Sequence, residues 1–288
     1  MDQALRDLLG LLELEALEEN VFRGQSRDTG LPQVFGGQVL GQALAAAAHT
    51  AAGRRVHSMH AYFLRGGDPA APIIYEVDRA RDGGSFSARR VVAIQHGAQI
   101  FNMAASFQTP EAGLEHQTPM PDVPPPDRLR EVRELAAEMG EELSPRMRRV
   151  LGSRRAFQVK PVVPEQFMAE ARRQPFKQVW MKAIAALPDS PFLHEALLAY
   201  ISDYELISTA TLPHGLHASS SGMRMASLDH AMWFHRPVRV DQWLLFDLES
   251  PSASGARGLA LGRVYTEEGV LVASLAQEGL IRLRRPRA

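Results

Sequence analysis

The sequence has no cysteine among its 288 residues. This excludes disulfides, thiolate nucleophiles and Cys-ligated zinc or iron–sulfur centres together. It fits a reducing compartment. Charge of one sign is also missing: 32 Lys+Arg face 33 Asp+Glu, so no global basic field exists to hold nucleic acid. No apolar run approaches the roughly 18 residues that span a bilayer. The longest, Ala43–Ala52, is interrupted by His49 and Thr50. The N-terminal leucines are broken up by Asp2, Arg6, Asp7 and Glu13, which does not read as a secretion signal. The ending Arg285-Pro286-Arg287-Ala288 is not a Ser-Lys-Leu peroxisomal address. A cytoplasmic protein without stable membrane insertion is expected.

The usual catalytic strings are absent as well. Gly83-Gly84-Ser85-Phe86-Ser87 lacks the last glycine of a nucleophile elbow, and neither a P-loop nor a Gly-x-Gly-x-x-Gly fingerprint occurs. His194-Glu195 has no second histidine to make a zinc helix, and His214 and His217 have no obvious carboxylate partner. No metal and no other cofactor is expected.

What is present is a core-forming composition, 45% hydrophobic and 23% charged. Leu5, Leu8, Leu9, Leu12 and Ala16 recur at helical spacing and predict a helix over residues 2–19. Residues 36–50 predict a second helix, apolar on most sides and therefore buried. Short β-like runs follow at Val56–Leu64, Ile73–Arg81, Ser85–Gln95 and Ala98–Gln108, parted by glycine turns. Pro119–Pro126, with five prolines, reads as an extended connector, and the charged stretch 127–149 as helical. The second half repeats the order of the first. A strand is expected over Phe176–Ala186. A helix follows, capped by Ser190-Pro191 and running to about Ser208. Strands are expected at Met223–Arg236, Gln242–Ser250, Gly255–Thr266 and Val270–Arg284. Local echoes support the duplication. Ala61-Tyr62-Phe63-Leu64-Arg65 answers Met232-Trp233-Phe234-His235-Arg236, and Ser87-Ala88-Arg89 answers Gly255-Ala256-Arg257. The expected organisation is α+β: a unit over 1–115, a connector over 116–164 and a second unit over 165–288. The two sheets would cover one edge of each other.

Three polar residues fall where the pattern expects apolar ones. On the second-half helix Asp203 shares a stripe with Ala196, Ala199, Tyr200 and Ile207. It is either a hydrogen-bonded core acid or a functional carboxylate with a perturbed pKa. Gln277 continues the line Leu271, Ala273, Leu275; it is either a buried amide or a strand end reaching solvent. Ser227 shares a face with Met223 and Met225, which is unremarkable for a strand serine. His230, three residues on, is expected on the opposite face and so not as its base. Gly36-Gly37-Gln38 opens the first buried helix; its bare N–H groups can stabilise an anion, or its glycines can permit close packing.

Several long strings carry a resemblance. Val34-Phe35-Gly36-Gly37-Gln38-Val39-Leu40-Gly41-Gln42, His57-Ser58-Met59-His60-Ala61-Tyr62-Phe63-Leu64-Arg65-Gly66-Gly67-Asp68 and Ser85-Phe86-Ser87-Ala88-Arg89-Arg90-Val91 resemble the acyl-CoA thioesterase II family. So do Ser227-Leu228-Asp229-His230-Ala231-Met232-Trp233-Phe234-His235-Arg236-Pro237 and Ala276-Gln277-Glu278-Gly279. The resemblance runs from Gln3 to about Arg282. It implies a double hot-dog fold, two helix-wrapped antiparallel sheets forming an intrachain pseudo-dimer, with further assembly to a dimer or tetramer. It implies hydrolysis of fatty acyl-CoA to fatty acid and CoA. The family's catalytic Asp, Ser or Thr, and Gln map to Asp203, Ser227 and Gln277. Relatives often carry Thr at the hydroxyl position. Acyl-CoA is the implied partner, and Arg65, Arg89, Arg90 and Arg257 are candidates for its anionic end, with Gly36, Gly37 and Gln38 as further substrate-binding candidates. His57 and His60 form a second-choice acid–base pair on opposite faces of one strand. Two other activities stay open: a hot-dog hydratase or dehydratase acting on the acyl chain, and a non-catalytic acyl-CoA binder.

Overall fold

The computed structural model describes residues 2–27, 32–51, 53–143, 145–152, 155–168, 171–217 and 220–283. Helix α1 (Gln3–Leu12) is capped by the Asp2 carboxylate, which accepts from the Ala4 N–H at 2.8 Å. It is shorter than its spacing predicts. The chain leaves the helix at Glu13 and forms a hairpin, β1 (Glu15–Glu18) and β2 (Val21–Gly24), turning at Asn20 with φ of 61°. Helix α2 (Gly36–His49) follows, then β3 (Arg55–Phe63), β4 (Ile73–Asp82), β5 (Phe86–Gln95) and β6 (Ala98–Gln108), close to the expected spans.

The middle segment holds α3 (Val132–Met139) and α4 (Pro145–Gly152). Two pieces went unpredicted: β7 (Phe157–Pro161) and the single turn α5 (Glu165–Met168). The second half then gives β8 (Phe176–Ala183), α6 (Pro191–Ser202), a 3₁₀ segment (Ile207–His214), β9 (Met223–Ser227), β10 (Asp229–Phe234), β11 (Leu244–Ser254), β12 (Arg257–Thr266) and β13 (Leu271–Leu283). Ser190 caps α6 and Pro191 occupies its first turn, as read from the sequence.

The strands form one 13-stranded sheet in the order β1-β2-β4-β5-β6-β3-β10-β13-β12-β11-β8-β7, with β9 also paired to β13. The two halves meet where β3 and β10 pair antiparallel, Tyr62 opposite Asp229 and Ser58 opposite Trp233. Each half therefore covers one edge of the other. Both long helices lie against the sheet and against each other. Every residue of α2 from Gly37 to Ala47 is buried, and so is α6 from His194 to Ser202. Apolarity on nearly all sides is what a helix in that position requires.

The proline-rich connector has a definite seat. Met120, Val123 and Leu129 pack on Trp180, Leu245, Tyr265 and Leu271, across the outer face of the second-half sheet. The Trp180 indole donates to the Pro124 carbonyl at 3.0 Å, and the Gln117 amide bonds both Gly269 O and Leu271 N. Segments without strand or helix can thus be held by side chains that close their backbone bonds.

The helix pair approaches so closely that a Cβ at Gly37 would overlap the carbonyl oxygen of Tyr200. Gly37→Ala must push the helices apart. We expect it to cost about 1–3 kcal/mol, as overpacking does. Urea unfolding should show a lower midpoint with an unchanged slope.

Candidate active site

Asp203 is not inside a helix, as its stripe predicts, but is the C-cap of α6. The helix stops because Glu205 takes a left-handed φ of 58°, and Ile207 belongs to the following 3₁₀ segment. A carboxylate at a helix C-terminus is disfavoured by that helix's own dipole. Here the N-terminus of α2 offsets it. The Gly37 N–H donates to the carboxylate, and a Cβ at Gly36 would stand 2.7 Å from Oδ2. The glycine pair permits both the close helix packing and the approach of the acid.

Ser227 and Gln277 converge on the same group. The Gln277 amide nitrogen donates to Asp203 Oδ1 at 2.6 Å and to Ser227 Oγ at 3.0 Å, and Ser227 Oγ donates to Asp203 Oδ1 at 3.2 Å. Gln277 is fully buried, which decides between the two readings of its strand position. Burial pushes the Asp203 pKa up to about 6; the bonds from Gln277, Ser227 and Gly37 oppose it and win back only part. The residue as a whole keeps partial exposure.

The period-two rule fails at one point here. Gly279 pairs Ser227 and Ala276 pairs Ala231, so β13 advances three residues while the β9–β10 side advances four. The extra residue is a bulge at Leu228. Leu228 still gives its N–H to Glu278 O and its C=O to Phe63 N, while the Asp229 carboxylate takes the Glu278 N–H at 2.7 Å. The bulge turns His230 to the same side as Ser227. Its Nδ1 lies 3.2 Å from the Gln277 nitrogen and its Nε2 lies 2.9 Å from Ser202 Oγ. Alternation had placed His230 on the wrong face. The aspartate after Leu228, free to replace a ladder partner, is the signal that could have shown it.

A second bulge corrects the reading of His57 and His60. The β3–β6 register slips between Val56 and Ser58, which puts both histidines on the outer face of the sheet. His57 bonds Ser106 Oγ at 2.8 Å and His60 meets the Trp233 ring edge-on; neither touches Asp203.

The remaining candidates separate. Gln38 is buried and donates to the Gln25 carbonyl at 3.2 Å, outside the polar cluster. Arg65 is exposed and bonds the Gln99 carbonyl at 2.6 Å. It lies two residues past Phe63, whose ring borders Gly36, so it sits at the edge of the site. Arg90 is exposed on β5, in the half without Asp203. Arg257 holds Glu278 at 2.8 Å, on the sheet face opposite Gln277.

Arg89 is a correction. It is 1% exposed, paired to Asp82 at 2.6 Å, and bonded to Thr50 Oγ1 and Thr50 O at 2.7 Å each. No donor is left over for a ligand's anionic end, because all its nitrogens are bonded within the protein. The duplication explains it. Thr50 caps α2 as Asp203 caps α6. Ala105 stands four residues past the partner of Phe63, as Gln277 does past the partner of Phe234, and Arg89 pairs Ala105. Arg89 thus fills the place where the first half would carry a second site, about 20 Å away along the helix pair. A cavity of about 200 Å³ opens at that end, between His49, Arg54, Phe192 and Glu195. Among the described residues the acid–hydroxyl–amide group occurs once.

Such a site can hold a water against a carboxylate that titrates near neutrality. Among the described residues no group of His, Asp or Glu is arranged to hold a metal ion. The class is set by these features: a duplicated hot-dog protein with one polar group at the helix junction, the architecture of hot-dog thioesterases.

Comparison with known proteins gives the family. The description "Acyl-CoA thioesterase" matches residues 153–280, and "Acyl-CoA thioesterase N-terminal domain" matches residues 25–108. The chain is 41% identical to human acyl-coenzyme A thioesterase 8, over 95% of this chain and 88% of that one. It is 40% identical to acyl-CoA thioesterase 2 of Haemophilus influenzae, over 98% and 99%. The crystal structure of an acyl-CoA thioesterase II from Mycobacterium marinum superposes with a TM-score of 0.79 at 42% identity, covering 96% of this chain and 98% of that one. The chain belongs to the acyl-CoA thioesterase family.

The raised pKa has a thermodynamic consequence. The folded chain holds the Asp203 proton more tightly than the unfolded chain does, with the pKa raised from 3.8 to about 6. The associated stability is complete below about pH 4 and is lost as pH rises through 6, a change of roughly 3 kcal/mol. Asp203→Asn does not titrate. Its stability relative to wild type should therefore increase between pH 4 and pH 7 by about that amount. Urea unfolding across the range checks this, and a constant difference would contradict it.

Proposed function

We propose that the chain hydrolyses fatty acyl-CoA thioesters to free fatty acid and CoA, with Asp203 activating the attacking water. The observation that carries this reading is the Asp203 carboxylate. It is held by Gly37, Ser227 and Gln277, and raised by burial to a pKa of about 6. A base poised just below neutrality is ionised at working pH and still able to take a proton.

The water oxygen attacks the thioester carbonyl carbon as its proton passes to Asp203. The tetrahedral oxyanion then collapses, the C–S bond breaks, and the CoA sulfur leaves and takes up the proton. Ser227 and Gln277 fix the carboxylate and orient the water, so attack begins from an aligned geometry. Gln277 Oε1 is buried and receives no donor from the described protein, so its acceptor capacity is unused. The Gly37 N–H is engaged by Asp203; the N–H of Gly36, beside it, is our candidate for the oxyanion. Ser227 has no histidine base, because both nitrogens of His230 are bonded elsewhere. Its hydroxyl is therefore an orienting group and not a nucleophile.

The same bonds speak against a hydratase, in which a histidine would face the acyl chain. Arg65, exposed two residues past Phe63, is our candidate cation for the anionic end of CoA. The enzyme works in the cytoplasm, in this reading, and assembles into a dimer or tetramer through exposed aromatics on its outer sheet face, Tyr62 and Trp233 among them.

Thiol release from acyl-CoA of 4 to 18 carbons, a range chosen on the order of natural chain lengths, tests the proposal. Asp203→Asn should lose roughly 10²–10⁴-fold in kcat. For wild type, kcat/KM should fall about tenfold per pH unit below an apparent pKa near 6 and level off above it. Wild-type turnover by the Asn variant would overturn the assignment.

A further inference from the structure

We infer that His230, with its tautomer fixed by Ser202, is a positioning residue that keeps the nitrogen of the Gln277 amide turned toward Asp203. The inference rests on the role given to Gln277 above.

The hydrogen bonds leave one consistent arrangement of protons. Ser202 Oγ lies 2.8 Å from the Ala199 carbonyl and can only donate to it. Its oxygen is then the acceptor for His230 Nε2–H at 2.9 Å. A neutral imidazole protonated at Nε2 carries a bare Nδ1. That Nδ1 accepts one N–H of Gln277 at 3.2 Å, and the other N–H is shared between Asp203 Oδ1 at 2.6 Å and Ser227 Oγ at 3.0 Å. Protonation at Nδ1 would set two donors against each other. Ser202, His230 and Gln277 are at most 1% exposed, so the arrangement is closed off from solvent.

The need for such a device lies in the chemistry. An amide can turn over and exchange its oxygen for its nitrogen. An ionised Asp203 prevents this, since Gln277 Oε1 beside Oδ1 would be repelled. Once Asp203 has taken the water's proton it can donate, and it no longer distinguishes the two ends. His230 Nδ1 still does, because it only accepts. The ring stays neutral throughout: burial pushes its pKa down to about 3, so its state is independent of the Asp203 proton. The amide is thereby held in one orientation through both protonation states of the base.

The test is a double-mutant cycle on the full chain, read as thiol release. H230F keeps a ring of similar size and removes the acceptor. We expect kcat to fall about 10- to 100-fold with KM within about twofold, since orientation and not binding is lost. H230N places an amide oxygen near the position of Nδ1 and should recover kcat to within about fivefold of wild type. In a Q277A background H230F should cause no further loss, because the group it positions is gone. Nitrogen-15 shifts of His230 should report a protonated Nε2 and a bare Nδ1 at every pH from about 5 to 8. Wild-type kcat in H230F would overturn the inference. So would an equal loss in the Q277A background, or no recovery in a folded H230N judged by its thermal transition. Unchanged kcat in Q277A alone would remove the role of Gln277, and with it the reading on which the inference rests. Impaired Q277A with unaffected H230F would refute the positioning role alone.

Discussion

Everything in this chain's site depends on a carboxylate placed where one helix ends and another begins. Asp203 terminates α6 and receives the first turn of α2. An acid at its own helix's C-terminus would be poorly placed if it were alone. It is tolerated because an antiparallel neighbour presents bare N–H groups across a gap that only glycine allows. The seam between β3 and β10 fixes the two halves, the halves fix the helices, and the helices fix the acid. The residual cost of enclosing the charge is what tunes Asp203 toward neutrality. Stability at neutral pH is given up at that position.

Two similar halves make the architecture, and among the described residues one of its two helix junctions carries the acid, amide and hydroxyl. At the Asp203 end of the helix pair the cap is an acid, the sheet offers an amide and a hydroxyl, and two glycines open the helix start. At the other end the cap is Thr50, the sheet offers Ala105, and Arg89 crosses the space to Asp82. One end gathers a buried carboxylate with an amide and a hydroxyl bonded to it. At the other, Arg89 is tied up by an ion pair and hydrogen bonds, beside a cavity of about 200 Å³. The connector belongs to this division of labour, since it seals the outer face of the half that carries Gln277.

Much of this was legible in the amino-acid order. The four strands after α2 and the capped start of α6 follow from periodicity and turn chemistry. Asp203 and Gln277 stood out as polar residues on apolar lines. What periodicity could not show was where it breaks. The bulge at Leu228 brings His230 into the site, and the slip after Val56 sends His57 and His60 to the outer face. Both are single-residue irregularities, set by long-range pairing and invisible to local pattern. The end of α6 is similar: Glu205 in a left-handed conformation carries no glycine to announce it. Arg89 was misjudged because an exposed and a buried arginine look alike in sequence; its partners are Thr50, 39 residues away at the end of α2, and Asp82, the last residue of β4.

The central claim is that water, and no protein nucleophile, attacks the thioester. Intact-protein mass measurement on enzyme quenched during turnover of a slowly hydrolysed acyl-CoA addresses it most directly. The account predicts the unmodified chain alone at every time point. A transient mass increase equal to the acyl group, mapped to Ser227, would contradict it.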